Sequence, residues 1–133
     1  MTHEVRLRRG VRVVALGGAQ LTSLGDWVSA VDQATTTDGL GVGALLMDFR
    51  GQAYAPSAED AGKLLDRLRS RFGRAVPPLA AVATAGAQFG GTRVLCTLAE
   101  LGGCRASAFV SEAEAWLWLR AQLREPASTQ PTA

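Results

Sequence analysis

The sequence contains a single histidine, His3, and two cysteines, Cys96 and Cys104, in 133 residues. A histidine so near a chain end, where termini fray, builds no His-based triad and no metal cluster. The two thiols make neither a zinc quartet nor a disulfide framework, so they are expected to be reduced and packed. Long apolar runs are also missing. Stretches such as residues 13–16 are cut short by glycine, far below the roughly 20 residues a membrane helix requires. Nor does one sign of charge dominate: 14 basic residues against 12 acidic ones leave +2, too little for a dedicated nucleic-acid binder. The arginines at positions 6, 8, 9 and 12 are not followed by an apolar segment and cleavage site. No secretory leader is therefore expected, and the cytoplasm is the default location.

What the chain does contain is core-forming material, with 47% of its positions hydrophobic and 20% charged. That composition and length suit one domain, assigned to residues 1–124, that folds without staples. Residues 125–133 are proline, serine, threonine and alanine in the main, and are expected to be a disordered tail.

Val5 and Leu7 alternate with Arg6 and Arg8, Arg9-Gly10 supplies turn chemistry, and residues 11–16 resume an extended β-branched run, which together predict a hairpin. Thr22 or Ser23 opens a first helix, with Asp26 near its positive end and Leu24, Trp27, Val28 and Val31 at helical spacing. Residues 35–39 read as a loop. Residues 43–49 are apolar with little alternation, which predicts a central strand covered on both sides. Ser57 caps a second helix with Glu59 and Asp60 in its first turn, an inner stripe of Ala61, Leu64, Leu65, Leu68 and Phe72, and Gly73 as its stop. Residues 79–85 carry no charge and predict a second buried strand. A third helix is placed from about residue 91 to 101, stopped by Gly102-Gly103, and a last strand at 105–110. Ser111 with Glu114 forms a capping box for a final helix through Leu123. This β-β-α-β-α-β-α-β-α order demands crossover connections. The expected fold is an α/β sandwich, an N-terminal hairpin followed by alternating β-α units, with a mostly parallel sheet of four or five strands and about four helices. Its hairpin strand lies at or near a charged edge.

Four features carry candidate chemistry. Asp48 ends a strand where open parallel sheets bind ligands, but it has no partner carboxylate. Its better reading is structural, with Arg50 two residues away as the donor. The glycine-rich segment 86–93 leads into a helix as an anion loop would, without the spacing of a P-loop or dinucleotide fingerprint; Thr92 and Arg93 are its candidate anion or small-ligand contacts, and Gly90, Gly91 and Arg93 are also candidates for a ligand or dimer surface. Lys63, Arg67, Arg71 and Arg74 recur along the polar side of the second helix as a basic stripe. Trp116, Leu117, Trp118 and Leu119 cannot all face one sheet. With Ala115, Trp118, Leu119 and Gln122 or Leu123 inward, Leu117 points away and Trp116 sits at the border. Those two are a candidate homodimer surface or apolar-ligand contact.

The order of elements and two short stretches resemble the STAS superfamily, in particular its small stand-alone SpoIIAA-like members related to anti-sigma-factor antagonists. The first stretch is LLMDFRGQAYAPS at 45–57, similar to the family's strand, loop and helix start. The second runs from residues 80–85 through a loop and helix to Gly102-Gly103 and a strand ending in Phe109-Val110, followed by SEAEAWLWL at 111–119. The resemblance places Ser57 where the antagonists have their phosphorylated serine. Pro56 and the pair Ala58-Glu59 depart from the family pattern around it, making the site degenerate. The resemblance implies a non-enzymatic regulatory or protein-interaction module without metal or cofactor. Its partner would be protein, of anti-sigma type, contacting Ser57, Ala58, Glu59, Lys63 and Arg67. The alternative reading is a carrier or sensor of a small hydrophobic, lipid-like ligand near Trp116, Leu117 and the 86–91 segment.

Overall fold

A computed structural model describes residues 3–8, 11–18, 20–36, 42–51, 54–73 and 76–124. Strands β1 (His3–Arg8) and β2 (Val11–Gly17) lead into α1 (Leu24–Thr36), β3 (Val42–Asp48), α2 (Ala58–Phe72), β4 (Leu79–Val82), α3 (Ala87–Leu101), β5 (Ala106–Phe109) and α4 (Glu112–Arg124). The fold is α/β, with five strands in the order β1-β2-β3-β4-β5. β1 is antiparallel to β2 and occupies one edge, while β2 through β5 run parallel. The Arg9-Gly10 turn and the 125–133 tail lie outside the described residues. No helix among the described residues is long and apolar enough to cross a membrane.

Parallel strands laid down in sequential order, joined by crossovers of one hand, place every connecting helix on the same side of the sheet. Helices α1, α2 and α3 accordingly share one core with Val14, Leu16, Leu45, Met47, Leu79 and Ala81. Trp27 is fully buried there, stacked on Phe49 at 4.4 Å with its indole N–H donating to the Leu21 carbonyl. The alternate residues Val13, Ala44, Leu46, Ala80 and Val82 face the other way. Among the described residues α4 is the one helix that covers them, through Ala115, Trp116 and Leu119. β3 and β4 are thus sealed on both faces, as their uninterrupted apolar runs require.

Local chemistry sets the helix ends. Ser23 accepts from the Asp26 N–H while the Asp26 carboxylate accepts from the backbone of Thr22, a reciprocal cap. The Thr22 backbone bond is the main reason the Asp26 carboxyl titrates below its ordinary range. Ser57 caps α2 by accepting from the Asp60 N–H at 3.1 Å, and Gly73 ends that helix at φ 67. Ser111 caps α4 through the Glu114 N–H.

Three expectations need correction. Thr35 belongs to α1 rather than to the following loop. Its hydroxyl bonds back to the Val31 carbonyl and accepts from the Arg71 guanidinium at 2.8 Å, so α2 holds the last turn in place against a weak intrinsic propensity. α3 starts at Ala87, four residues before the predicted position, because Gln88 and Phe89 already lie in its first turn. Trp116 is buried at 7% exposure rather than at the border, and Trp118 takes the half-buried flank beside the Phe109 ring.

Among the described residues α4 alone covers the second face, which gives a sharp contrast. Leu119→Ala should lower unfolding stability in urea by about 2–5 kcal/mol through the cavity it leaves. Leu117→Ala, at a side chain 57% exposed, should change it by less than about 0.5 kcal/mol.

Candidate functional site

The parallel strands deliver their carboxyl ends to one rim, and the segment leaving β3 crosses it on the way to α2. Asp48 accepts two bonds from the Arg50 guanidinium, at 2.9 and 2.8 Å, and one from the Arg50 backbone N–H. Arg50 also reaches Glu112 at the start of α4, at 2.8 Å. The second Glu112 oxygen accepts from the Trp116 indole N–H at 3.1 Å. The hydrogen bonds to Asp48, more than to Glu112, raise the affinity of the guanidinium for its proton. Asp48 is therefore the structural anchor its spacing to Arg50 suggested. The cluster fastens the β3 exit to the helix on the opposite face.

From there the chain is pinned at successive points. Phe49 is buried against Trp27. Gln88, buried in the first turn of α3, donates its amide to the Phe49 carbonyl at 2.7 Å and the Tyr54 carbonyl at 2.9 Å, and accepts from the Thr84 N–H at 2.7 Å. One side chain thereby satisfies backbone groups from the exits of both β3 and β4, groups that no strand can pair there. The Tyr54 hydroxyl donates to Asp60 at 2.7 Å, and burial first, then this carboxylate, pushes its pKa upward. Pro56 is buried under α3 at Gly91, where an added Cβ would stand 2.6 Å from the Pro56 carbonyl oxygen. Glycine at 91 is thus a close-approach residue, not part of an anion loop. Beyond these pins stands Ser57, exposed at the helix start.

The candidate residues separate into groups. Ser57, Ala58, Glu59 and Lys63 lie exposed along the start of α2, with Glu59 and Lys63 paired at 3.5 Å. Arg67 pairs with Asp32 of α1 at 3.5 Å, and Arg71 binds Thr35. The expected basic stripe therefore borders the seam between two helices, with Asp32 of α1 as the counter-charge of Arg67 alone, and its fourth member Arg74 lies outside the described residues. An open groove of about 340 Å³ runs along this seam, floored by Leu24 and Val28 and edged by Lys63, Asp66, Arg67 and Ser70. Gly90 and Arg93 are exposed on α3, and Thr92 is buried with its hydroxyl on the Phe89 carbonyl, unavailable to an anion. Trp116 and Leu117 belong to the opposite side of the sheet from α3. The single apolar-ligand site expected from Trp116, Leu117 and the 86–91 segment is not assembled, because strand order puts β4 between its halves.

Gln88 and Tyr54 were missed by sequence reasoning. Gln88 stood inside a glycine-rich stretch read as loop; the signal available was a lone amide three residues past a buried strand. Both thiols are free. Burial pushes Cys96 up to about 12 and raises Cys104 despite the nearby Arg69 and Arg105, so neither is a poised nucleophile. Among the described residues no group of three or more His, Cys, Asp or Glu side chains is placed to hold a metal ion. No protein-family model matches the chain, and no curated protein matches it at a significant level.

Removing the amide with Gln88→Ala should cost about 1–3 kcal/mol, since it strands the buried Phe49 carbonyl and loosens the partly buried bonds to Tyr54 and Thr84, and should speed hydrogen exchange at Thr84. Unchanged exchange would contradict the pin. The thiol gives a pH signature. Cys96 holds its proton to about 12 when folded and has an ordinary value of 9.0. Its contribution is complete below pH 9 and is lost as pH rises towards 12, because the unfolded thiol ionises first. Chemical denaturation across that range should show a decline that is shallower in Cys96→Ala.

Proposed function

We propose that the chain is a non-enzymatic regulatory module that acts by binding a protein partner, in the manner the resemblance to anti-sigma-factor antagonists implies. The reading is carried by one observation: Ser57 is exposed at the N-cap of α2 on a segment held at Phe49, Tyr54 and Pro56. A hydroxyl presented at a helix start suits recognition. The amphipathic groove between α1 and α2 continues from it along Lys63 and Arg67. The contact set is Ser57, Ala58, Glu59, Lys63 and Arg67, and the partner is of anti-sigma type.

Ser57 serves this module first as a cap. A phosphate there gains from the helix dipole and the first-turn amides. Glu59 and Asp60 oppose it, though each already has a partner in Lys63 or Tyr54. The site is a degenerate phosphoacceptor in which these terms compete. The apolar-ligand alternative has lost the site first drawn for it and takes second place.

Ser57→Ala should destabilise the protein by about 1 kcal/mol, the worth of an exposed cap. Affinity capture from its native cytosol, with bound proteins identified by mass, tests the interface. Lys63→Glu combined with Arg67→Glu should lose a partner that the folded wild type retains, as checked by circular dichroism. Equal recovery by both would remove α2 as the contact surface.

A further inference from the structure

Helix α3 lays Gln88, Thr92, Leu95, Cys96 and Ala99 into the core, and its period turns Gly90, Arg93, Val94, Thr97 and Leu101 to solvent. Two large apolar side chains on this outer face are open, Leu101 at 80% and Val94 at 40% exposure. Gly90, Arg93, Val94 and Thr97 have the i, i+3, i+4, i+7 spacing of a hole that receives a knob from a facing helix. With Leu98 they line a depression of about 370 Å³. It is roomy at position 90, where an added Cβ would meet nothing within 4 Å. Arg93 and Glu100 stand near opposite ends of the same face. Among the described residues neither forms an ion pair, and the Arg93 guanidinium rests 6.0 Å from the Phe89 ring centroid.

We propose that this face is a homodimer interface in which α3 packs antiparallel on α3 of a second copy, each Leu101 seated in the depression formed by Gly90, Arg93, Val94 and Thr97 of the other. The face is self-complementary, which selects a second copy as its occupant. A two-fold axis crossing α3 near Thr97 carries Leu101 to the level of Arg93 and Val94 on the facing helix. The same rotation sets Arg93 opposite Glu100 of the second copy, so the charged flank meets its own complement and the apolar flank meets itself. At about 1.5 Å rise per residue the two knob-and-hole contacts lie roughly 11 Å apart. Such a contact is isologous and closes at two chains. A 15-residue helix spans about 22 Å, which is short for a standard interface, so the dimer is reversible and concentration-dependent. It does not depend on the role given to Ser57.

Sedimentation velocity of the full chain over a wide concentration series tests this. The wild type should pass from monomer to dimer as concentration rises. Arg93→Glu and Glu100→Arg each place like charges opposite one another and should weaken the dimer by about tenfold or more. The double variant should recover the wild-type constant. Leu101→Asp should leave a monomer throughout, while Leu117→Asp on α4 should behave as wild type. These positions are exposed, so folding is preserved and is checked by circular dichroism. A wild type that stays monomeric, a double variant that fails to recover, or a dimer lost through Leu117→Asp rather than Leu101→Asp overturns the proposal. The first of those results would leave the stripe to a different protein, the last would move the interface to α4.

Discussion

Sequential parallel pairing of β2, β3, β4 and β5 governs almost everything else in this protein. With crossovers of one hand, it gathers α1, α2 and α3 on one face and leaves the other face of β3 and β4 to whatever follows β5. The chain meets that need with α4, whose Ala115, Trp116 and Leu119 close over Val13, Ala44, Leu46, Ala80 and Val82. The same pairing brings every strand exit to one rim. There the peptide groups of residues beyond the strands must find partners outside the ladder.

The solution at the rim is economical. Gln88 takes up groups from the β3 and β4 exits, and the bridge from Asp48 through Arg50 to Glu112 ties β3 to α4. Gly91 lets α3 descend onto Pro56. Together these contacts hold Phe49, Tyr54 and Pro56 ahead of Ser57. Partly exposed ion pairs of this kind contribute little stability individually. Their importance is geometric: they set which backbone segment faces solvent and in what orientation.

Two surfaces then offer themselves for different purposes. The start of α2 joins charged side chains to the apolar floor provided by α1, whereas α3 presents a stripe of Val94 and Leu101 bounded by Arg93 and Glu100. The surface proposed for a protein partner and the one proposed for self-association thus lie on different helices, α2 and α3.

Much of the architecture was legible in the residues: the alternation of elements, the caps at Ser57 and Ser111, the stops at Gly73 and Gly102, and the buried character of β3 and β4 all follow from local propensity and hydrophobic period. Asp48 and Arg50 were legible too, because their two-residue spacing puts them on one side of an extended segment. Local pattern did not reveal which face each helix takes. It therefore left Trp116 at a border when it is buried, gave Arg67 and Arg71 as a basic stripe without the Asp32 and Thr35 of α1 that they meet, and joined Trp116 to a segment across the sheet. Those outcomes rest on contacts between residues far apart in the chain, 36 positions in the case of Thr35 and Arg71. The periodicity of a helix states which residues are inward, whereas the neighbour that makes them inward is chosen by strand order.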